Sequence, residues 1–346
     1  MGRKTVYNNI TNEESLSQIL PENKELTKDF LDYLKSIDRS PGTISQYKSD
    51  LDIFFVYNLE NNDNKRFTEI TKREFVRFQN HALNEWKWSP KRVRRVKSVL
   101  SSLSSYIEDI LDEEEAYKGY RSVINKIESP VNETVREKTV FEPEEIQHLI
   151  DTLIDQDKIM QACIISLAVN SGRRKAELPR FKASWFTDDN VIFGSIFRTP
   201  EQVQTKGRGS RGKMLTLYTF KKDFEPYLNL WLEKREQLGI TSDWLFPKKV
   251  NGEYVDEPIS TDTLDSWTDS FSKILGKPFY FHALRHFWTT QALKSSLPSN
   301  VVQELCGWST ADMVNLYDDS TAEDMFAKYF DENGIKQLQS KTLSEV

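Results

Sequence analysis

The stretch YFHALRHFWTTQAL, Tyr280 to Leu293, holds two of the chain's four histidines and an arginine within five residues. On a helix, His282 and His286 sit four apart on one face, with Arg285 three residues after His282 and beside it. Such a cluster of donors can hold an anion. It also satisfies a buried helix with a polar edge, since Ala283, Leu284, Phe287, Trp288 and Ala292 can cover the other side. Basic residues crowd into three further windows: KWSPKRVRRVK (Lys87 to Lys97), GRRKAELPRFK (Gly172 to Lys182) and TKGRGSRGK (Thr205 to Lys213). The net charge is nevertheless -6. That excludes indiscriminate coating of nucleic acid, because neutralised phosphates supply most non-specific binding. Three positive windows on an acidic chain suit a confined DNA contact instead.

The elements that must position these groups fall into two blocks. From Asn23 to Lys126 the pattern is helical. SPGTISQYKSDLDIFFVY opens with a cap and first-turn proline, Ser40 and Pro41, and sets Ile44, Tyr47, Leu51, Phe54 and Phe55 on one stripe. Ser89 and Pro90 repeat the device, and Val93, Val96, Leu100, Leu103, Ile107 and Ile110 then recur at alternating spacings of three and four. Lys91, Arg92, Arg94, Arg95 and Lys97 are left off that seam, a basic edge suited to DNA phosphate. With flanking helices near Glu25 to Ile37 and Lys72 to Trp86, this predicts a four-helix domain over 23–127, preceded by a short extension (1–22) and followed by a polar, proline-containing linker (128–140). A second domain, 141–346, is predicted to be mostly helical with one small antiparallel sheet. Its strands are NVIFGSIF and MLTLYTF, flanking a glycine-rich hairpin tip. The last stretch, AEDMFAKYFDENGIKQLQ, spaces Met325, Phe326, Tyr329 and Phe330 as a helix. The fold class is therefore mainly α, with a minor β component. Cys163 and Cys306 lie in apolar helical segments and are expected to be buried thiols.

Four motifs, in order, resemble the tyrosine recombinase (phage integrase) family. SGRRKAEL is similar to the family's first arginine motif, with Arg174 in the catalytic place and Glu177 in the acidic place. TKGRG resembles the hairpin that carries the family's lysine, here Lys206, although Arg208 and Lys213 compete for the role. HALRH matches the HxxR box through His282 and Arg285, and ELCGWSTADMVNLY resembles the last box, with Trp308 and the nucleophile Tyr317. The resemblance implies a SAM-like core-binding domain before a catalytic domain, and cutting of DNA through a 3′-phosphotyrosine intermediate. The chemistry of the residues agrees. Arg174 and Arg285 offer planar forks to phosphate oxygens, and His282 can move the tyrosine proton or hold an oxygen. Glu177 is expected to set the His282 tautomer, Lys206 to protonate the leaving oxygen, and the Trp308 indole to donate a hydrogen bond. His286 has a supporting place. Arg173, where the family more often has an apolar residue, is expected on the DNA face with Arg180, Arg208 and Arg211.

No nucleotide-binding fingerprint or metal-ligand spacing is present, so neither cofactor nor metal is expected. The implied partners are double-stranded DNA and further copies of the chain, a tetramer in synapsis, with room for an accessory DNA-bending or directionality factor. Without an apolar leader or span, the expected place is the cytoplasm, at the nucleoid. The extension 1–22 is too short for a separate arm-binding domain, which suggests a simple recombination site. Asp318 and Asp319, next to the nucleophile, are electrostatically unhelpful to phosphate attack. They leave open a second function, a recombinase-fold DNA-binding regulator such as a lysogeny repressor, without strand exchange.

Overall fold

The computed structural model describes residues 6–131, 139–205 and 212–321, together with 323, 326, 330, 331, 334 and 335. The chain forms two compact units, each with its own apolar core. The first comprises α1 (Val6–Ile10), α2 (Glu13–Gln18), α3 (Pro21–Ser36), α4 (Pro41–Asn61), α5 (Lys72–Asn84) and α6 (Pro90–Ile110). The expected caps are in place: Ser40 and Ser89 accept the Thr43 and Arg92 amides, each followed by a first-turn proline. Thr71 and Glu74 close a capping box at the start of α5. Phe54 stacks on Phe75 and meets Phe78 edge-on, and these rings form the centre of the unit with Leu51, Val96 and Leu103.

Residues 6–22, expected as a short extension ahead of the helical domain, pack on the helical unit. Tyr7 donates to Asp52 on α4, Asn64 holds both the Leu20 amide and the Gln18 carbonyl, and Ile19 is buried. The Ile19 side chain joins the apolar core of this unit.

The second unit runs through α7 (Pro143–Asp155), α8 (Ile159–Ser171), β1 (Val191–Ile192), β2 (Ile196–Arg198), β3 (Val203–Thr205), β4 (Lys213–Leu215), β5 (Tyr218–Phe220), α9 (Lys221–Gln237), β6 (Pro247–Val250), β7 (Glu253–Pro258), α10 (Thr261–Leu275), α11 (Phe281–Lys294), α12 (Ser299–Cys306) and α13 (Asp312–Tyr317). It ends with β8 (Phe330–Asp331) and β9 (Gly334–Ile335). Helix α8 is apolar all round and lies in the middle of the core.

Four details differ from expectation. NVIFGSIF is a hairpin rather than one strand: Phe193 and Gly194 both have positive φ, and the Ser195 amide donates to Ile192 across the turn. MLTLYTF is split between two sheets. Its first half pairs with β3 and its second with β2, because Leu217 is pinned between them by Thr199 through its amide and its carbonyl. The β6–β7 hairpin was not expected, although its Asn251-Gly252 turn, both at positive φ, is a legible signal. Finally, the helical spacing toward Phe330 gives way to the antiparallel β8–β9 pair. Phe326 is helical and exposed, and Met325 and Tyr329 lie outside the described residues.

Candidate active site

Three backbone turns build the site, and glycine ends two of the helices that approach it. Gly172 closes α8 in the left-handed conformation, φ 61°, which costs glycine little. A Cβ there would lie 2.6 Å from the Trp288 ring of α11. The closeness lets the Gly172 carbonyl accept Arg285 Nη1 at 2.7 Å. Gly172→Ala should therefore cost about 2 to 4 kcal/mol, from the left-handed backbone and the overpacked indole together. Denaturant unfolding followed by tryptophan fluorescence measures this. Wild-type stability in the variant would mean that Trp288 swings aside without loss.

Beyond Gly172 the two arginines diverge. Arg174 is partly exposed, and Glu177, itself 2% exposed, holds it through both oxygens: Oε1 takes Nη1 at 3.0 Å and Oε2 takes the Arg174 amide at 3.1 Å. Glu177 thus orients Arg174. Both carboxylate oxygens bond back into the turn, a role beyond the expected one of setting the His282 tautomer. Arg173, expected at the DNA face, is 2% exposed and donates to the Ser171 and Leu305 carbonyls. Those bonds occupy its guanidinium inside the protein and tie the α8 turn to α12.

Helix α11 carries the histidine-arginine cluster. His282 is exposed in its first turn. Arg285, one turn on, is completely buried: Nη1 and Nη2 donate to the Gly172 and Cys306 carbonyls at 2.7 and 3.2 Å, while Nε has no partner among the described residues. Its guanidinium lies over the Trp308 ring at 4.6 Å and the Tyr317 ring at 5.6 Å. Burial pushes Arg285 down to about 10, with Arg174 and Arg173 adding to the effect and Cys306 and Glu177 opposing it. It remains a cation at neutral pH.

Gly307, at φ 65°, ends α12 and presents Trp308, whose ring stands 4.8 Å from that of Tyr317. Tyr317 closes α13 and is 6% exposed, with the His282 ring at 5.1 Å and the His286 ring at 4.5 Å. Trp308 Nε1 is another buried donor without a partner among the described residues. Asp318 accepts the Ser320 amide through Oδ1. The Asp319 amide donates to Thr290 Oγ1 at 2.9 Å, and its carboxylate lies 3.1 Å from His286 Nδ1, an ion-pair contact rather than an aligned hydrogen bond. Thr290 is the part of the cluster that sequence reasoning did not single out, and Asp319, read there as unhelpful to phosphate attack, is tied to it. Thr290 was legible only as a residue four after His286 on the same helix.

The structure brings together Arg174, Glu177, His282, Arg285, His286, Trp308 and Tyr317. Lys206, Arg208 and Arg211 lie outside the described residues. The strands flanking that segment are anchored at the Trp308 turn: Leu215 packs against Gly307, and Lys213 Nζ donates to the Gly307 carbonyl at 3.0 Å. Lys213, the competitor for the lysine role, is exposed and commits one ammonium donor there. Arg180 donates to the Gln204 carbonyl of β3.

In the first unit the basic edge of α6 is thinner than its sequence suggests. Arg95 forks onto Asp50 at 3.0 and 2.7 Å. Arg92 stacks on Trp88 at 4.2 Å, and Lys97 donates to the Ile127 carbonyl and to Ser129. Asp50 is 1% exposed and draws the first two inward. Lys91 and Arg94 are exposed, the latter with a bond to the Pro130 carbonyl.

Two family models match the chain. The phage integrase family covers residues 139–324, and the phage integrase N-terminal SAM-like domain covers 26–115. The chain belongs to the phage integrase, or tyrosine recombinase, family. The family is an enzyme class that transfers DNA strands in site-specific recombination. The SPbeta prophage-derived recombinase-like protein YomM of Bacillus subtilis is 28% identical to this chain over 288 residues, 82% of each chain. The tyrosine recombinase XerA of Pyrococcus furiosus is 23% identical over 300 residues, 86% of this chain and 91% of that one. The structure of the XerH recombinase bound to a palindromic difH substrate is similar with a TM-score of 0.64 at 16% identity, covering 92% of this chain and 88% of that one. A lambda integrase tetramer bound to a Holliday junction gives 0.61 at 15%, covering 86% and 77%. At such identities these two likenesses speak for the fold alone. Among the described residues of this tyrosine recombinase no helix is long and apolar enough to cross a membrane.

Proposed function

We propose that this recombinase is the integrase of a phage or other mobile element and breaks DNA by attack of Tyr317 on a phosphodiester. The observation that carries the reading is the packing of Tyr317 against a buried guanidinium and two histidines, with the Arg285 Nε and Trp308 Nε1 donors beside it unpartnered among the described residues. The tyrosine oxygen forms the bond to phosphorus and the deoxyribose 5′ oxygen leaves, so a 3′-phosphotyrosine stores the energy of the broken linkage and rejoining needs no nucleotide. Arg174 and Arg285 take the non-bridging oxygens as charge grows on them. His282, exposed and 5.1 Å ring to ring from Tyr317, is placed to move the phenol proton. Lys206 is the proposed donor to the leaving oxygen. The domains are proposed to divide the work, with 23–127 gripping DNA through Lys91 and Arg94 and 141–346 performing the chemistry. Duplex DNA and further copies of this chain are the proposed partners, since the lambda integrase relative is a tetramer on a Holliday junction.

The reading as a DNA-binding regulator has one observation in its favour: Arg285 is wholly buried, with two donors on backbone carbonyls. One experiment separates the two. Wild-type protein is incubated with nicked duplexes carrying the repeats that flank its gene, and SDS-stable adducts are digested and mapped. An integrase yields a peptide containing Tyr317 that bears a nucleotide. Salt-sensitive, sequence-specific binding without an adduct would establish the regulator.

A further inference from the structure

We propose that Asp319 is a positioning residue for the nucleophile, acting through His286; the inference rests on Tyr317 being that nucleophile. Asp319 is tied to α11 at two points one helical turn apart. Its amide donates to Thr290 Oγ1, and its carboxylate meets His286 Nδ1 at 3.1 Å. Both side chains are nearly enclosed, with Asp319 9% and His286 12% exposed, so the contact is less screened than a surface pair. The His286 ring in turn lies 4.5 Å from the Tyr317 ring, tilted at 31°, and bears on the face of the phenol. The chain therefore goes from nucleophile to latch in two residues. The helix that receives the latch is the one that carries His282 and Arg285.

The charged surroundings are defined. His282 and Arg285 flank His286 on α11, Asp319 approaches from the segment after α13, and Tyr317 covers the ring. Lys294 and Glu142 line the cavity of about 280 Å³ that Asp319 also borders, and Arg173, Arg174 and Glu177 surround Arg285 from the α8 turn. Asp319 meets His286 in an ion-pair contact, so its loss should be felt at that ring. Through that contact the His286 ring is held against Tyr317, and Tyr317 lies in turn by the Arg285 guanidinium.

The test uses full-length protein labelled at histidine Cε1, in which only four resonances arise. His286→Gln assigns the relevant one. In Asp319→Asn its titration midpoint should fall, because a carboxylate 3.1 Å from Nδ1 has been removed. The single-turnover rate of adduct formation on nicked DNA should fall about tenfold near neutral pH, with its pH profile displaced in the same direction and DNA affinity unchanged; Asp319→Glu should restore much of the rate. An unmoved His286 midpoint overturns the latch whether or not the protein cleaves DNA. A moved midpoint with an unchanged rate profile overturns the positioning role. Failure of the underlying reading looks different: the adduct maps to a residue other than Tyr317.

Discussion

Tyr317→Phe is expected to abolish the covalent adduct while leaving the fold and DNA binding intact. The phenyl ring keeps every ring contact of the tyrosine, to His282, His286, Trp308 and the Arg285 guanidinium. What is lost is one oxygen, the atom that must become bonded to phosphorus. The change in melting temperature should be no more than about 2 to 4 °C, the size expected from losses near 1 kcal/mol in a domain of this length. Gel-shift affinity for the cognate duplex should change by less than about threefold, corresponding to under 1 kcal/mol. A Tyr317→Phe protein that still forms the adduct at the wild-type rate would remove Tyr317 from the chemistry.

The second large effect belongs to Arg285. Arg285→Lys retains a cation but cannot hold the Gly172 and Cys306 carbonyls with one planar group while pointing a third donor elsewhere. Adduct formation should slow by roughly a hundred- to a thousandfold, the usual cost of removing one well-placed donor to developing charge. Arg285→Ala should slow it at least as much and also destabilise the domain, since two backbone acceptors each lose a partner at about 1 to 3 kcal/mol. Comparing the lysine and alanine proteins by rate and by denaturant midpoint separates chemistry from folding. A lysine variant that cleaves at the wild-type rate would mean that the guanidinium serves only to pin the two turns.

The pH behaviour of Arg285 follows from its burial. Its folded value of about 10 lies below the ordinary arginine value, so unfolding takes up a proton above pH 10 and stability rises with pH from there until the unfolded arginine also loses its proton. At neutral pH the charge is present in both states, and its burial is a constant cost to folding. Cleavage by the wild type should accordingly not be limited by Arg285 between pH 7 and about 8.5, and should fall toward pH 10.

Much of the fold was legible in the sequence because the signals are local. Ser40-Pro41 and Ser89-Pro90 start their helices where a cap and a fixed φ require it, and the seam from Val93 to Ile107 is buried as its spacing demands. The order of the four motifs likewise singled out Arg174, His282, Arg285, Trp308 and Tyr317, and the fold brings all five to one place. What the sequence could not determine is where each charged side chain spends its donors, which depends on carbonyls and carboxylates far along the chain. Arg173 looked like a surface cation and is anchored on Leu305; three of the five basic residues on α6 turn toward Asp50, Trp88 or the Ile127 carbonyl. Asp319 looked like an obstacle to phosphate and is bound to α11 instead. Burial sets the sign of such cases, because a charge out of water must find a partner wherever the packed chain provides one, and only the tertiary structure decides which partner that is.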